Sequence, residues 1–307
     1  MFRKTISLIA LSALACAKDK PAADSTQLAI PGAATKLGET GGMKVPESVR
    51  YDAELDVYYV SNINGNPSQK DGNGFIARVR ADSTSVMTML VEGGKNGATL
   101  NAPKGMALRG DTIFVADIDV LRMFDRKTGK SLGDVTVAPK AQFLNDVAMG
   151  PDGVYITDTG VLFDGKGVMT HPGTNRIYKV AGKTVSVIAA GDSLVNPNGI
   201  AWDAANGRWL LAPFGGTTIQ TLSPGHLELG TLTTGPGGYD GIEVLANGNV
   251  LVSSWQDSTV WIAHGGTHMV PLIKHVSAPA DIGVDTKRNV VAVPRFNDGK
   301  VEYYRIP

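Results

Sequence analysis

One cysteine, Cys16, stands in 307 residues, so no disulfide can close within the chain. Neither sign of charge dominates: 29 basic residues face 29 acidic ones, mixed along the sequence. That balance leaves no basic stripe and no charged tail, which argues against nucleic acid as a partner. Past the first fifteen residues, no segment longer than about ten residues keeps a helical period. The five histidines (His171, His226, His264, His268 and His275) lack the HExxH spacing of zinc hydrolases. A G-x-S-x-G nucleophile elbow, a phosphate loop and a dinucleotide-binding glycine fingerprint are also missing. Glycine, in contrast, is abundant at 37 residues, which suits many short strands joined by tight turns.

The first residues read as a targeting segment. Arg3 and Lys4 precede the apolar run 5–15, too short for a mature membrane span. Small residues then lead to Cys16, and SALAC (12–16) is similar to a bacterial lipobox, in which the cysteine carries lipid. The plainer alternative is a secretory signal cut near Ala15. Residues 1–15 are thus expected to be a signal peptide and 16–38 a flexible tether anchored at Cys16. Residues 39–307 remain for a folded domain. The expected location is across the inner membrane, as a periplasmic lipoprotein at the outer membrane, touching membrane through the lipid only.

A short phrase recurs six times: PESVRYD (46–52), PKGMALR (103–109), LNDVAMG (144–150), PNGIAWD (197–203), YDGIEVL (239–245) and PADIGVD (279–285). One polar register runs through the copies as Glu47, Lys104, Asn145, Asn198, Asp240 and Ala280, spaced by 57, 41, 53, 42 and 40 residues. Repeats of roughly 40–50 residues, each able to make four strands, predict an all-β, six-bladed β-propeller. Asn-Gly, Asp-Gly and Gly-Gly turns punctuate the runs, as at 246–248 and 151–153. The last repeat stops short of its outer strand, and KLGETGGMKV (36–45) has no blade of its own. It is therefore expected to supply that strand and close the ring, which removes an open edge.

A residue held at one register in every blade converges on the axis. Two long loops, 62–74 and 159–175, are expected to wall or cover that end. Asn62, Asp117, Asp158, Phe214, Trp255 and Phe296 lie at or beside second-strand exits and are expected around the mouth. Trp255 and Phe214 are candidates for substrate contact, although inter-blade packing explains them equally well. Asp117 and Asp119 read as turn caps.

Glu47, Asn198 and Asp240 would bring three oxygen donors together, with Asn145 as a fourth. Hard donors suit a divalent cation, Ca²⁺ first, with Mg²⁺, Mn²⁺ or Zn²⁺ as alternatives. Without a cation, converging carboxylates repel and one tends to stay protonated. A bound ion can polarise an ester or lactone carbonyl, and Asp240 can serve as general base. Propeller turns also favour Asn and Asp for backbone reasons alone. Lys104 either meets a product carboxylate or leans outward into solvent. His171, in a mouth loop, is a lesser acid–base candidate.

These residues also carry a family resemblance. Over about residues 40–307 the chain resembles the regucalcin (senescence marker protein), gluconolactonase and LRE-like family of six-bladed propellers. It is more distantly similar to the paraoxonase and strictosidine synthase-like group. PNGIAWD matches the family's metal asparagine and places it at Asn198. YDGIEVLANGNVLVSSW matches the segment with the metal aspartate and presumed base, at Asp240. PESVRYD places the metal glutamate at Glu47, and LNDVAMGPDG implies a metal or substrate contact at Asn145. Sugar lactonases of the family commonly carry arginine two residues before that asparagine; here it is Phe143, which points to a less polar lactone or ester. The expected function is divalent-metal-dependent hydrolysis of such a substrate, and the alternative is a non-catalytic propeller that binds a ligand or protein.

Overall fold

The computed structural model describes residues 32–307 apart from 138–140, 174, 226–227 and 266. The signal segment, Cys16 and most of the tether lie outside the described residues, as does His226. Six four-stranded antiparallel sheets make up the propeller. Their innermost strands are Pro46–Asp52, Pro103–Arg109, Leu144–Gly150, Pro197–Asp203, Tyr239–Val244 and Gly283–Asp285. The first four coincide with the repeated phrase, the fifth stops one residue short of it, and the sixth covers the end of PADIGVD. Among the described residues the sole helical element is a single 3₁₀ turn at Asp192–Leu194.

Burial follows strand position. Second strands such as VYYVSN at Val57–Asn62 and VLVSS at Val250–Ser254 are buried along their whole length, between the blades on either side. Short continuous apolar runs, VYYV and VLV here, ending in small polar residues are the sequence form of these strands. Outer strands such as Ser83–Glu92 are largely exposed and carry polar residues. Six of the seven apolar clusters among the described residues lie one at each blade-to-blade interface: for example Val57, Tyr59, Met106 and Val115 between the first two blades.

The ring closes as the sequence predicts. Thr35–Thr40 pairs antiparallel with Lys300–Arg305, from Thr35 opposite Arg305 to Thr40 opposite Val301. The strand starts at Thr35, inside the stretch read as tether. Tyr58 of the first blade and Tyr303 of the last stack at 5.1 Å, and the Thr40 and Tyr303 hydroxyls lie 2.9 Å apart. Buried Glu302 accepts from Lys36 at 2.8 Å and from Arg295 at 2.9 Å, fixing the added strand to its neighbours.

Candidate active site at the head of the axial channel

The polar register falls at one irregularity repeated around the ring. In five innermost strands the pairing register shifts at this position: between Pro46 and Val49, Pro103 and Met106, Leu144 and Val147, Pro197 and Gly199, and Tyr239 and Ile242. A bulge breaks the strict alternation of a strand, so two consecutive residues can serve the same interior. The next residues are Ser48, Gly105, Asp146, Gly199, Gly241 and Asp281. Three are glycines because the next blade comes too close for a side chain. A Cβ at Gly199 would meet Asp240 O at 2.2 Å, and one at Gly105 would meet Asp146 Cα at 2.4 Å. At Gly241 it would meet Ile282 N at 2.5 Å.

All five polar members of the register are buried. Glu47 and Asp240, from the first and fifth blades, repel one another electrostatically, as do Asp240 and Asp281. Burial is the largest cause pushing both Glu47 and Asp240 well above the usual carboxylate range; neighbouring acids add to it. Glu47 Oε2 and Asp240 Oδ1 are buried without a hydrogen-bond partner. The Trp255 indole approaches Asp240 closely enough to pull its pKa slightly down, yet Trp255 Nε1 completes no hydrogen bond of ordinary geometry.

Lys104 does not lean into solvent. Its side chain is buried, Nζ donates to Pro67 O at 2.9 Å and Ala102 O at 3.0 Å, and it sits 4.3 Å from the centre of the Phe143 ring. Burial lowers its pKa to about 8, against the opposing pull of Glu47 first and Asp117 and Asp158 after it. Asn145 donates from Nδ2 to Thr159 Oγ1 at 3.0 Å, and Thr159 Oγ1 in turn donates to Pro197 O at 2.9 Å. Asn198 is buried at the equivalent place in the fourth blade.

The two long loops meet above Lys104. Loop 62–74 supplies Pro67 O to it, and Ser68 Oγ accepts from Phe163 N in loop 159–175 at 3.0 Å. Asn66 Nδ2 reaches Asp164 O at 2.6 Å. A small hairpin, Leu162–Phe163 with Met169–Thr170, stiffens the second loop, and Phe163 packs on Phe143 at 5.7 Å. His171 lies exposed on it, 3.4 Å from Asn196 Nδ2.

Three residues expected around the mouth are used otherwise. Asn62, Asp117 and Asp158 are fully buried at second-strand ends, where each accepts from backbone leading into the blade. Asn62 Oδ1 takes Lys44 N at 2.8 Å, Asp117 takes Ala102 N at 2.8 Å, and Asp158 takes Phe143 N at 3.0 Å. Backbone N–H groups must be satisfied, and that need consumes these side chains. In the other three blades the next residue carries a half-buried aromatic ring. Phe214, Trp255 and Phe296 form a row with centroids 5.7 and 5.1 Å apart.

Four charged channel residues escape the single-register reading. Below Glu47 and Asp240, Ser48 Oγ donates to Asp281 Oδ2 at 2.6 Å, and Arg50 contacts Asp281 at 2.8 Å and Asp146 at 3.0 Å. Glu243 stands 3.7 Å from Arg50 on the far side. The next-residue register, with Asp146 and Asp281 among glycines and a serine, was the available signal. At this lower end opens a cavity of about 640 Å³.

Among the described residues no three His, Cys, Asp or Glu are grouped to hold a metal. The predicted set contains two carboxylates and depends on asparagine oxygens for the rest. The two orphaned carboxylate oxygens nevertheless fit a hard cation, because an ion removes both the repulsion and the unmet acceptors.

No known family profile matches the chain, and no curated protein matches it by sequence. Many solved structures share the fold. One, described as "the putative gluconolactonase in protein family", aligns with a TM-score of 0.66 at 16% identity, covering 89% of this chain and 92% of that one. At that identity the match establishes the six-bladed propeller and not its chemistry.

Proposed function

We propose that this propeller hydrolyses a lactone or related ester with the help of a divalent cation, Ca²⁺ first, held by Glu47, Asn198 and Asp240. The observation that carries the reading is the pair of buried, partnerless oxygens, Glu47 Oε2 and Asp240 Oδ1, on two separate blades. The gluconolactonase-type neighbour of the same fold agrees with it. When bound, the ion supplies Lewis acidity toward the carbonyl of the substrate.

The chain's own residues do the rest. Asp240 takes the proton of the attacking water and returns it to the oxygen released as the ester bond breaks. Asn145, its amide fixed by Thr159, orients the substrate through its remaining oxygen. Lys104 has two of its three N–H groups committed and can offer the third to the nascent carboxylate. Phe143 with Phe163, and the row Phe214–Trp255, favour a substrate of modest polarity. The loop contacts above Lys104 keep water from this floor.

Hydrolysis of a lactone and ester panel, before and after chelation and with Asp240→Ala alongside, tests the reading. Activity that survives both treatments sinks it. One observation favours a second reading, a binding propeller without catalysis: a cavity of about 640 Å³ lies at the other end of the channel. Such a protein turns over no member of the panel whatever its metal content. Cys16 is proposed as the lipid-carrying residue of a periplasmic lipoprotein, and loss of labelled palmitate from Cys16→Ser checks it.

A further inference from the structure

At the foot of the channel, three residues beyond the polar register, the six innermost segments carry Arg50, Ala107, Ala148, Ala201, Glu243 and Gly283. Four of the six are Ala or Gly. That choice removes side-chain volume from four blades at one level and leaves the cavity of about 640 Å³. The size lies within the range of small-molecule pockets, roughly 300–1,000 Å³. One step further out the side chains become large and mostly apolar, with Tyr51, Leu108, Met149 and Trp202 lining the wall. The cavity therefore has an apolar wall above two charged side chains.

The charges at that floor are unequal. Among the described residues Arg50 is the sole cation lining the cavity, and it is already engaged by Asp281, by Asp146 and by the carbonyls of Val49 and Ile282. Its guanidinium has little left to give a ligand. Glu243 differs: it stands 3.7 Å from Arg50, outside hydrogen-bond range, and its side chain stays 27% exposed. Three carboxylates thus face one guanidinium, and the carboxylate that opens on the cavity is the one without a close partner. Burial, set against the pull of Arg50 and reinforced by Asp281, raises Glu243 to about 7, which is the behaviour of an acid lacking its counter-ion.

We infer that the foot of the channel is a second ligand site, separate from the head, for a small organic ammonium whose cationic group pairs with Glu243 and whose apolar body packs against Trp202, Met149 and Leu108. An ammonium supplies the donor and the charge that Glu243 lacks, and the aromatic ring adds cation–π attraction. A carboxylate ligand of the same shape meets three acids and an occupied guanidinium, so it is rejected.

The experiment is calorimetric titration of the full-length protein at pH 8 with three compounds of one shape: phenethylammonium, phenethyl alcohol and phenylpropionate. Phenethylammonium alone is expected to bind. Glu243→Gln is expected to weaken it at least about tenfold, the scale of one charge-assisted contact. Ala148→Phe, which fills the cavity at the level of Arg50 and Glu243 while leaving both charges in place, is expected to abolish binding, with unchanged melting temperature showing that the fold persists. Asp240→Ala is expected to leave the affinity as it is, so the result is independent of any failure of the hydrolytic reading at the head. Equal binding of the alcohol, preference for the carboxylate, or full affinity in Glu243→Gln would each overturn the assignment.

Discussion

At the head of the channel Glu47, Lys104 and Asp240 are at most 4% exposed, and two carboxylate oxygens have no partner. At the foot, Asp146 and Asp281 are buried as deeply and Asp281 Oδ1 also lacks a hydrogen-bond partner, yet both acids contact Arg50. The same six strands thus carry two acidic clusters that differ in their cation. The lower one has a guanidinium delivered by its own first blade, and Arg stays charged at any working pH. The upper one has a lysine whose ammonium is pulled back by two carbonyls and weakened by burial. An acid cluster neutralised from within is suited to holding blades together. One left short of positive charge is suited to taking up something from outside.

The largest disturbance to both ends is to open the ring. Deleting residues 36–45 removes most of the strand that pairs with Lys300–Arg305, and a sharp fall in melting temperature is expected. An unchanged temperature would mean that the closing strand is dispensable. Next, Asp240→Ala should lower hydrolysis by roughly 10²–10⁴-fold, the span of a general base. In chelated protein the same change should leave the melting temperature level or raise it, because a repelled, partnerless carboxylate is gone.

Arg50→Met tests the lower cluster in the opposite sense. It strands Asp146 and Asp281 without a cation, and a loss of about 3–5 kcal/mol is expected by urea unfolding. Adding Asp281→Asn should recover part of that loss. If Arg50→Met and Asp240→Ala change stability alike, the contrast between the two ends fails.

The smallest effects are in pH dependence, where the two ends should slope oppositely. Glu243 is raised from 4.5 to about 7, so between those values the folded state holds the extra proton and stability falls as pH rises. Lys104 is lowered from 10.5 to about 8, so between 8 and 10.5 the unfolded state holds it and stability rises with pH. Unfolding curves of Glu243→Gln and Lys104→Met, each subtracted from those of the parent protein, should show these two slopes with opposite signs.

How much was legible follows from strand geometry. The repeat and its turns give the number of blades, and an unpaired stretch beside a short last repeat gives the closure. Both are local or additive properties of the chain. The register of buried polar residues that makes up the candidate site was legible because it recurs at one place in the repeated phrase. Arg50, Asp146, Asp281 and Glu243 were not, because a bulge admits the following residue as well and shifts the faces below it. Of the two readings of Lys104, the outward lean fails for a related reason. Its surroundings come from Pro67 in one loop and Phe143 in the neighbouring blade, far off in sequence.

The sequence by itself determined the all-β repeat, the six-fold count and the strand that closes it. Those depend on periodicity and turn chemistry, which neighbouring residues settle among themselves. Tertiary structure alone decided which acids share a cation, which stay orphaned, and where the channel widens into a cavity. Charge compensation and free volume belong to distances across the axis, and no single blade contains them.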